Sequence, residues 1–163
     1  MTPAPSHELS GAERASLDGV LTRLYEVISF DEGGEPDWDG MKDVFSLHAR
    51  ITRVTPEGID HLDLPTFCAM AREMLDLGAY TGFHERELSR RVDRLGAVVH
   101  VLSAYETKRH PDAVDRLGQG VNSIQLVNEA DGWRVVSLCW DEDGLRGPAV
   151  DLRSVVDGEV RRG

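Results

Sequence analysis

From Phe83 to Asp141 the chain reads with a period of two, and no other feature restricts its fold so strongly. The segments 96–106, 120–127 and 133–140 are rich in Val, Ile, Leu, Tyr and Trp, the residues that fit a pleated surface. Leu95-Gly96 predicts a tight turn or bulge between the first two long strands, and 110–116 predicts a longer connection. Glu129-Ala130-Asp131-Gly132 predicts a hairpin loop in which Gly132 supplies a positive φ. Four long strands joined in this way give an antiparallel sheet. The helical signals all precede it, so the class is α+β rather than α/β.

Those helical signals are specific. Ser10-Gly11-Ala12-Glu13 has the capping-box pattern, and Leu17, Val20, Leu21, Leu24, Val27 and Ile28 follow at helical spacing. The expectation is a helix over 11–29, with Gly33-Gly34 barring continuation. Asp37 is expected to cap a short helix with Met41, Val44 and Phe45 inward. His48–Thr55 and Ile59–Leu64 read as a strand pair around Pro56-Glu57-Gly58. Pro65 suits the first turn of a third helix, whose stripe of Phe67, Met70, Ala71, Met74 and Leu75 ends at Gly78. The expected organisation is a loose tail over 1–9, one domain over 10–142, and a Gly-rich extension over 143–163 that wraps the domain or is partly disordered.

Charge and motif content remove several function classes. The net charge of −11 repels nucleic-acid phosphates and anionic membranes, so neither is an expected partner. The densest basic group, Arg86, Arg90, Arg91 and Arg94, alternates with Glu85, Glu87 and Asp93 and reads as a solvated strand face. No apolar run is long enough to span a bilayer, and residues 1–7 lack the features of a secretory leader. Cys68 and Cys139 read as reduced, packed thiols, which suits a cytoplasmic protein. The six His are scattered without metal-ligand spacing, and no nucleophile elbow or phosphate loop is present. No metal and no cofactor is expected.

The order of two helices, a short strand pair, a third helix and four antiparallel strands resembles the nuclear-transport-factor-2-like, or SnoaL-like, superfamily over roughly residues 10–142. Gly132-Trp133-Arg134-Val135-Val136 is similar to its common final-strand motif. The stretches 100–106, 120–126 and 136–142 resemble a bacterial subgroup without an established function. The resemblance implies a cone-shaped barrel: a curved, mainly antiparallel sheet wrapped around three N-terminal helices, with a pocket at its wide end. It implies either a binding module for a small apolar molecule or a cofactor-free isomerase, cyclase or dehydratase. A dimeric interaction module is the third reading, with a homodimer formed through the sheet face.

Within such a fold, alternation divides each strand into two faces. On one strand His100, Leu102, Ala104 and Glu106 oppose Val99, Val101, Ser103 and Tyr105; on the next Asn122, Ile124 and Leu126 oppose Ser123 and Gln125. Which face looks inward is open at this stage. His100, Tyr105 and Glu106 are the candidates for acid–base chemistry, against ordinary roles as a bonded His, a packed aromatic and a paired carboxylate. Asn122, Ser123 and Gln125 are polar groups inside apolar strands, which must orient a ligand or satisfy a structural network. Trp140, and His48 and His84 at strand starts, complete the candidate pocket lining.

Overall fold

A computed structural model describes residues 8–142, so the expectation for the C-terminal extension and for most of the N-terminal tail falls outside the described residues. The elements run α1 (Gly11–Ile28), α2 (Met41–Val44), β1 (Phe45–Thr55), β2 (Gly58–Asp63), α3 (Leu64–Asp76), β3 (His84–Leu95), β4 (Val98–Lys108), β5 (Gly118–Glu129) and β6 (Gly132–Asp141). One sheet holds all six strands in the order β2-β1-β6-β5-β4-β3. Every neighbouring pair is antiparallel except β1 with β6, which is parallel. The sheet is curved and does not close, leaving β2 and β3 as edges.

Local chemistry accounts for the helix ends. Ser10 Oγ accepts from the Glu13 N–H (3.2 Å) and Glu13 Oε2 accepts from the Ser10 N–H (2.9 Å), completing the capping box of α1. Asp63 caps α3 by accepting from the Thr66 N–H (2.9 Å), one residue before the Leu64-Pro65 start. Asp37 does not cap α2; the N-cap position is Gly40, three residues later, whose N–H donates to Asp37 Oδ1 (2.9 Å), and α2 has no side-chain cap. Phe45 belongs to β1, which therefore begins three residues before His48.

The core lies between α1 and the inner face of the sheet. Leu17, Leu21, Leu24 and Val27 of α1 pack on Val99 and Val101 of β4, Ile124 and Leu126 of β5, Trp133 and Val135 of β6, and Ile51 of β1. Register confirms a continuous inner row, with Val99 opposite Leu126, Val101 opposite Ile124, Ser103 opposite Asn122 and Tyr105 opposite Gly120.

At the β3 edge the pairing slips by one residue. Glu87 lies opposite Tyr105 but Ser89 lies opposite Ala104, so Leu88 is extra and forms a bulge. Before the bulge Glu85 and Glu87 share the inner face with Thr107 and Tyr105; after it Arg90, Val92 and Arg94 do so, opposite Ser103, Val101 and Val99. The solvated face expected for this strand holds at Arg86, which is exposed, but not at Arg90 and Arg94, which turn inward. Arg94 pairs with Glu13 (2.8 Å) and Arg90 with Asp18 (2.8 Å), tying β3 to α1, while Glu85 and Glu87, before the bulge, turn into the protein.

Candidate functional site

A cavity of about 400 Å³ opens between the inner sheet face and the helices. Its walls are mostly apolar: Leu24 and Ile28 from α1, Phe67, Met70, Ala71 and Met74 from α3, and Trp38, Phe45, Phe83, Leu138 and Trp140. The stripe on α3 that periodicity marks out is one wall of this space, and no residue of α3 is fully buried. The polar lining is concentrated at Glu85, Tyr105, Thr107, Gln119 and Asn122, with Arg53 and Glu142 also contributing. Arg53 is already met by Asp60 (2.7 Å) and Glu142 (3.5 Å).

Glu85 is the distinctive group. Its backbone N–H donates to Ser29 Oγ (3.1 Å), and the Ser29 hydroxyl donates to the Tyr25 carbonyl (2.6 Å), so β3 begins pinned to the end of α1. The neighbouring Phe30–Phe83 bridge and ring stack, with centroids 6.3 Å apart, hold the same junction. The Glu85 side chain is half-buried, lining both the cavity and an open groove of about 460 Å³ between α1 and β3. Loss of hydration raises its pKa from the ordinary 4.5 to about 7, although an Asn122 N–H favours the charged form. Asn122 Nδ2 donates to Glu85 Oε1 (3.2 Å) and to Tyr25 Oη (3.3 Å). Tyr25 Oη in turn lies 2.6 Å from Ser103 Oγ, which donates to Glu87.

Tyr105 projects from β4 into the same space. Its ring and hydroxyl lie over Gly120, where a Cβ would come within 2.5 Å of the Tyr105 oxygen. Only glycine admits this approach. Burial, then the charge of Glu85, pushes the Tyr105 hydroxyl above its ordinary 10.0, so it stays protonated. Among the described residues that hydroxyl has no hydrogen-bond partner, although the ring is almost wholly covered. A cavity thus presents a carboxyl able to titrate near neutrality, an amide and a free donor, which together can hold a carbonyl-type group or move a proton.

The structure brings Tyr105, Asn122 and Trp140 together at this cavity and places the other candidates elsewhere. His100, Ser123 and Gln125 lie on the outer face, where His100 Nε2 meets Ser123 Oγ (3.0 Å) and Gln125 is exposed. Glu106 also faces outward, opposite Arg86. Its side chain is only 2% exposed, because Arg86 (2.6 Å), Arg116 (2.7 Å) and Lys108 (3.7 Å) cover it. These three cations hold its pKa below the usual carboxylate range despite the opposing effect of lost hydration. His48 is exposed, and His84 pairs with Asp31 (3.0 Å) beside the α1–β3 groove. Two residues that sequence reasoning passed over, Glu85 and Tyr25, occupy the centre. Tyr25 stands four residues after Leu21 and four before Ser29, on the apolar stripe, so helical spacing was sufficient to place it inward.

No protein-family model and no curated protein sequence matches the chain. Solved structures do. A protein of unknown function with a cystatin-like fold from Nostoc punctiforme is 13% identical, with a TM-score of 0.65 over 84% of this chain and 96% of that one. An NTF2-like protein with a cystatin-like fold from Novosphingobium aromaticivorans is 14% identical, with a TM-score of 0.64 over 85% of each chain. An NTF2-like protein of unknown function from Pseudomonas putida is 10% identical, with a TM-score of 0.62 over 82% and 89%. At these identities the likeness shows the fold: this chain has the NTF2-like, α+β fold. No helix of the described residues is long and apolar enough to cross a membrane.

Proposed function

We propose that the protein binds one small, largely apolar molecule in the cavity, with a carbonyl-type end directed at Tyr105, Asn122 and Glu85. The observation that carries this reading is a lining of aromatic, Met and Leu side chains around one cluster of polar groups, at a volume within the usual range for ligand sites. Binding of flat, apolar ketones measured by Trp fluorescence and calorimetry tests it. Saturable binding that Ala71→Trp abolishes by filling the cavity supports the proposal; binding untouched by that substitution places the ligand elsewhere and overturns it.

A second reading, a cofactor-free isomerase, cyclase or dehydratase, is favoured by Glu85 titrating near 7 beside the unpartnered Tyr105 hydroxyl. Glu85 would take a proton from the carbon next to the carbonyl, the electron pair would move to oxygen, and Tyr105 would donate a hydrogen bond to that oxygen. Exchange of that carbon's hydrogen for solvent deuterium, lost in Glu85→Gln, distinguishes catalysis from binding alone. The same proposal includes a homodimer through the outer sheet face and a cytoplasmic location; sedimentation equilibrium tests the first.

A further inference from the structure

Behind the cavity, six side chains form a hydrogen-bond chain whose direction can be assigned. Arg90 Nε donates to Glu87 Oε1 (2.6 Å), so Glu87 is a paired carboxylate and can only accept. The single proton of Ser103 is directed to Glu87. In the 2.6 Å contact between Ser103 Oγ and Tyr25 Oη, the donor is therefore Tyr25. With its proton committed, Tyr25 can only accept from Asn122, which lies at 3.3 Å, and this requires the NH₂ end of the amide. The second hydrogen of that same NH₂ points to Glu85 Oε1 at 3.2 Å.

We propose that Glu87, Ser103 and Tyr25 are positioning residues, which determine the end of the Asn122 amide that faces Glu85 and so hold Glu85 ready to accept. The inference deepens the cavity reading and rests on it only for its purpose; the orientation itself is a property of the free protein. The alternative amide orientation sets Asn122 Oδ1 against the lone pairs of Tyr25, which has no proton left to offer. Removing the Ser103 hydroxyl frees that proton. Tyr25 can then donate to Asn122 Oδ1, the amide turns over, and the same oxygen accepts from a protonated Glu85. The buried chain thus reads a charge on β3, through α1 and β4, onto an amide of β5. Ser103 is wholly buried and Asn122 and Tyr25 nearly so, so water does not compete for these positions.

The ionisable groups that line the cavity and groove with Glu85 are Tyr25 and Glu26 from α1, Tyr105 from β4, Glu87 and Arg90 from β3, and Arg53, Tyr80 and Glu142 from the other cavity walls; His84 and Arg86 line the groove beside it. Ser103→Ala and Tyr25→Phe leave all of these charges in place. The experiment follows the Glu85 carboxyl carbon by NMR across pH in the ligand-free protein, assigned by its loss in Glu85→Gln. Ser103→Ala and Tyr25→Phe should each move the Glu85 midpoint upward by about one to two pH units, the size of one hydrogen bond to a charged group. In an Asn122→Leu background Ser103→Ala should produce no further movement, because the amide through which it acts is gone. Simple loosening of the site would admit water and move the midpoint down. A downward or absent shift in Ser103→Ala, or an equal shift with and without Asn122, overturns the proposal. Because no ligand is used, failure here is separate from failure of the binding reading.

Discussion

Replacing Glu85 with Gln should make the protein more stable, and only on the alkaline side. The folded-state pKa of about 7 stands above the ordinary 4.5, so the native protein holds this proton more tightly than the unfolded chain does. For a carboxyl raised in this way, stability is at its fullest below the unfolded value and is lost as pH rises through the folded value. The gap between 4.5 and about 7, at about 1.4 kcal/mol per pH unit, amounts to about 3 kcal/mol lost by pH 8. Part of the carboxyl faces the cavity, and water entering there reduces that figure to about 2 kcal/mol in practice. Glu85→Gln keeps the shape and removes the charge. Urea unfolding at pH 5 and pH 8 should show near equality at the lower pH and an advantage of about 2 kcal/mol for the variant at the higher. A stability difference independent of pH would show that Glu85 is hydrated and ordinary, and the cavity would lose its titrating group.

Two other substitutions examine the surroundings. Gly120→Ala places a methyl group where the Tyr105 hydroxyl now lies and should displace that ring, costing about 1–3 kcal/mol in chemical unfolding; a cost below about 0.5 kcal/mol would mean that Tyr105 has room to move. Glu106→Gln removes the centre of a cluster of three cations on the outer face. Since the native pKa of Glu106 is lowered, its contribution is present above the unfolded pKa and lost as pH falls through the folded one. The variant should lose about 1 kcal/mol near pH 7 and converge with the parent in acid, reduced from a fully buried pair because Arg86 and Arg116 are largely exposed. Parallel pH profiles for variant and parent would contradict that assignment.

The elements of this fold were legible because they rest on local chemistry. The Ser10 capping box, the α1 and α3 stripes, Pro65 at the start of α3 and the loop ending at Gly132 each act within a few residues. Asp37 failed as a cap because an Asx contact to Gly40 and a cap on the following helix look alike in sequence, and α2 starts one residue beyond the reach of that contact. The site was half legible. Asn122 and Tyr105 attracted notice as polar groups in apolar strands, and strand alternation grouped Ser103 with Tyr105. The inward face itself depended on α1 packing over Val99 and Val101, a contact between segments about eighty residues apart. Glu85 was hidden for a sharper reason. With unbroken alternation, Val92 facing the core puts Glu85 outside; Leu88 breaks the count, and only the pairing with β4 reveals it.

The Leu88 bulge has a consequence for how sites of this kind arise and disappear. In an uninterrupted ladder a substitution changes one residue and leaves its neighbours facing as before. Losing the bulge at Leu88 while every residue is kept instead exchanges the inward and outward sets on one side of it. Pairing Leu88 with Tyr105 in an unbroken ladder, while β4 keeps its register, would bring Arg86 and Leu88 to the positions that Glu85 and Glu87 now occupy. Two inward carboxylates would give way to a guanidinium and a leucine without any residue being gained or lost. For this edge strand, the relevant unit of divergence is the reading of odd against even positions, and relatives with nearly identical β3 composition can differ in the sign of the cavity they enclose.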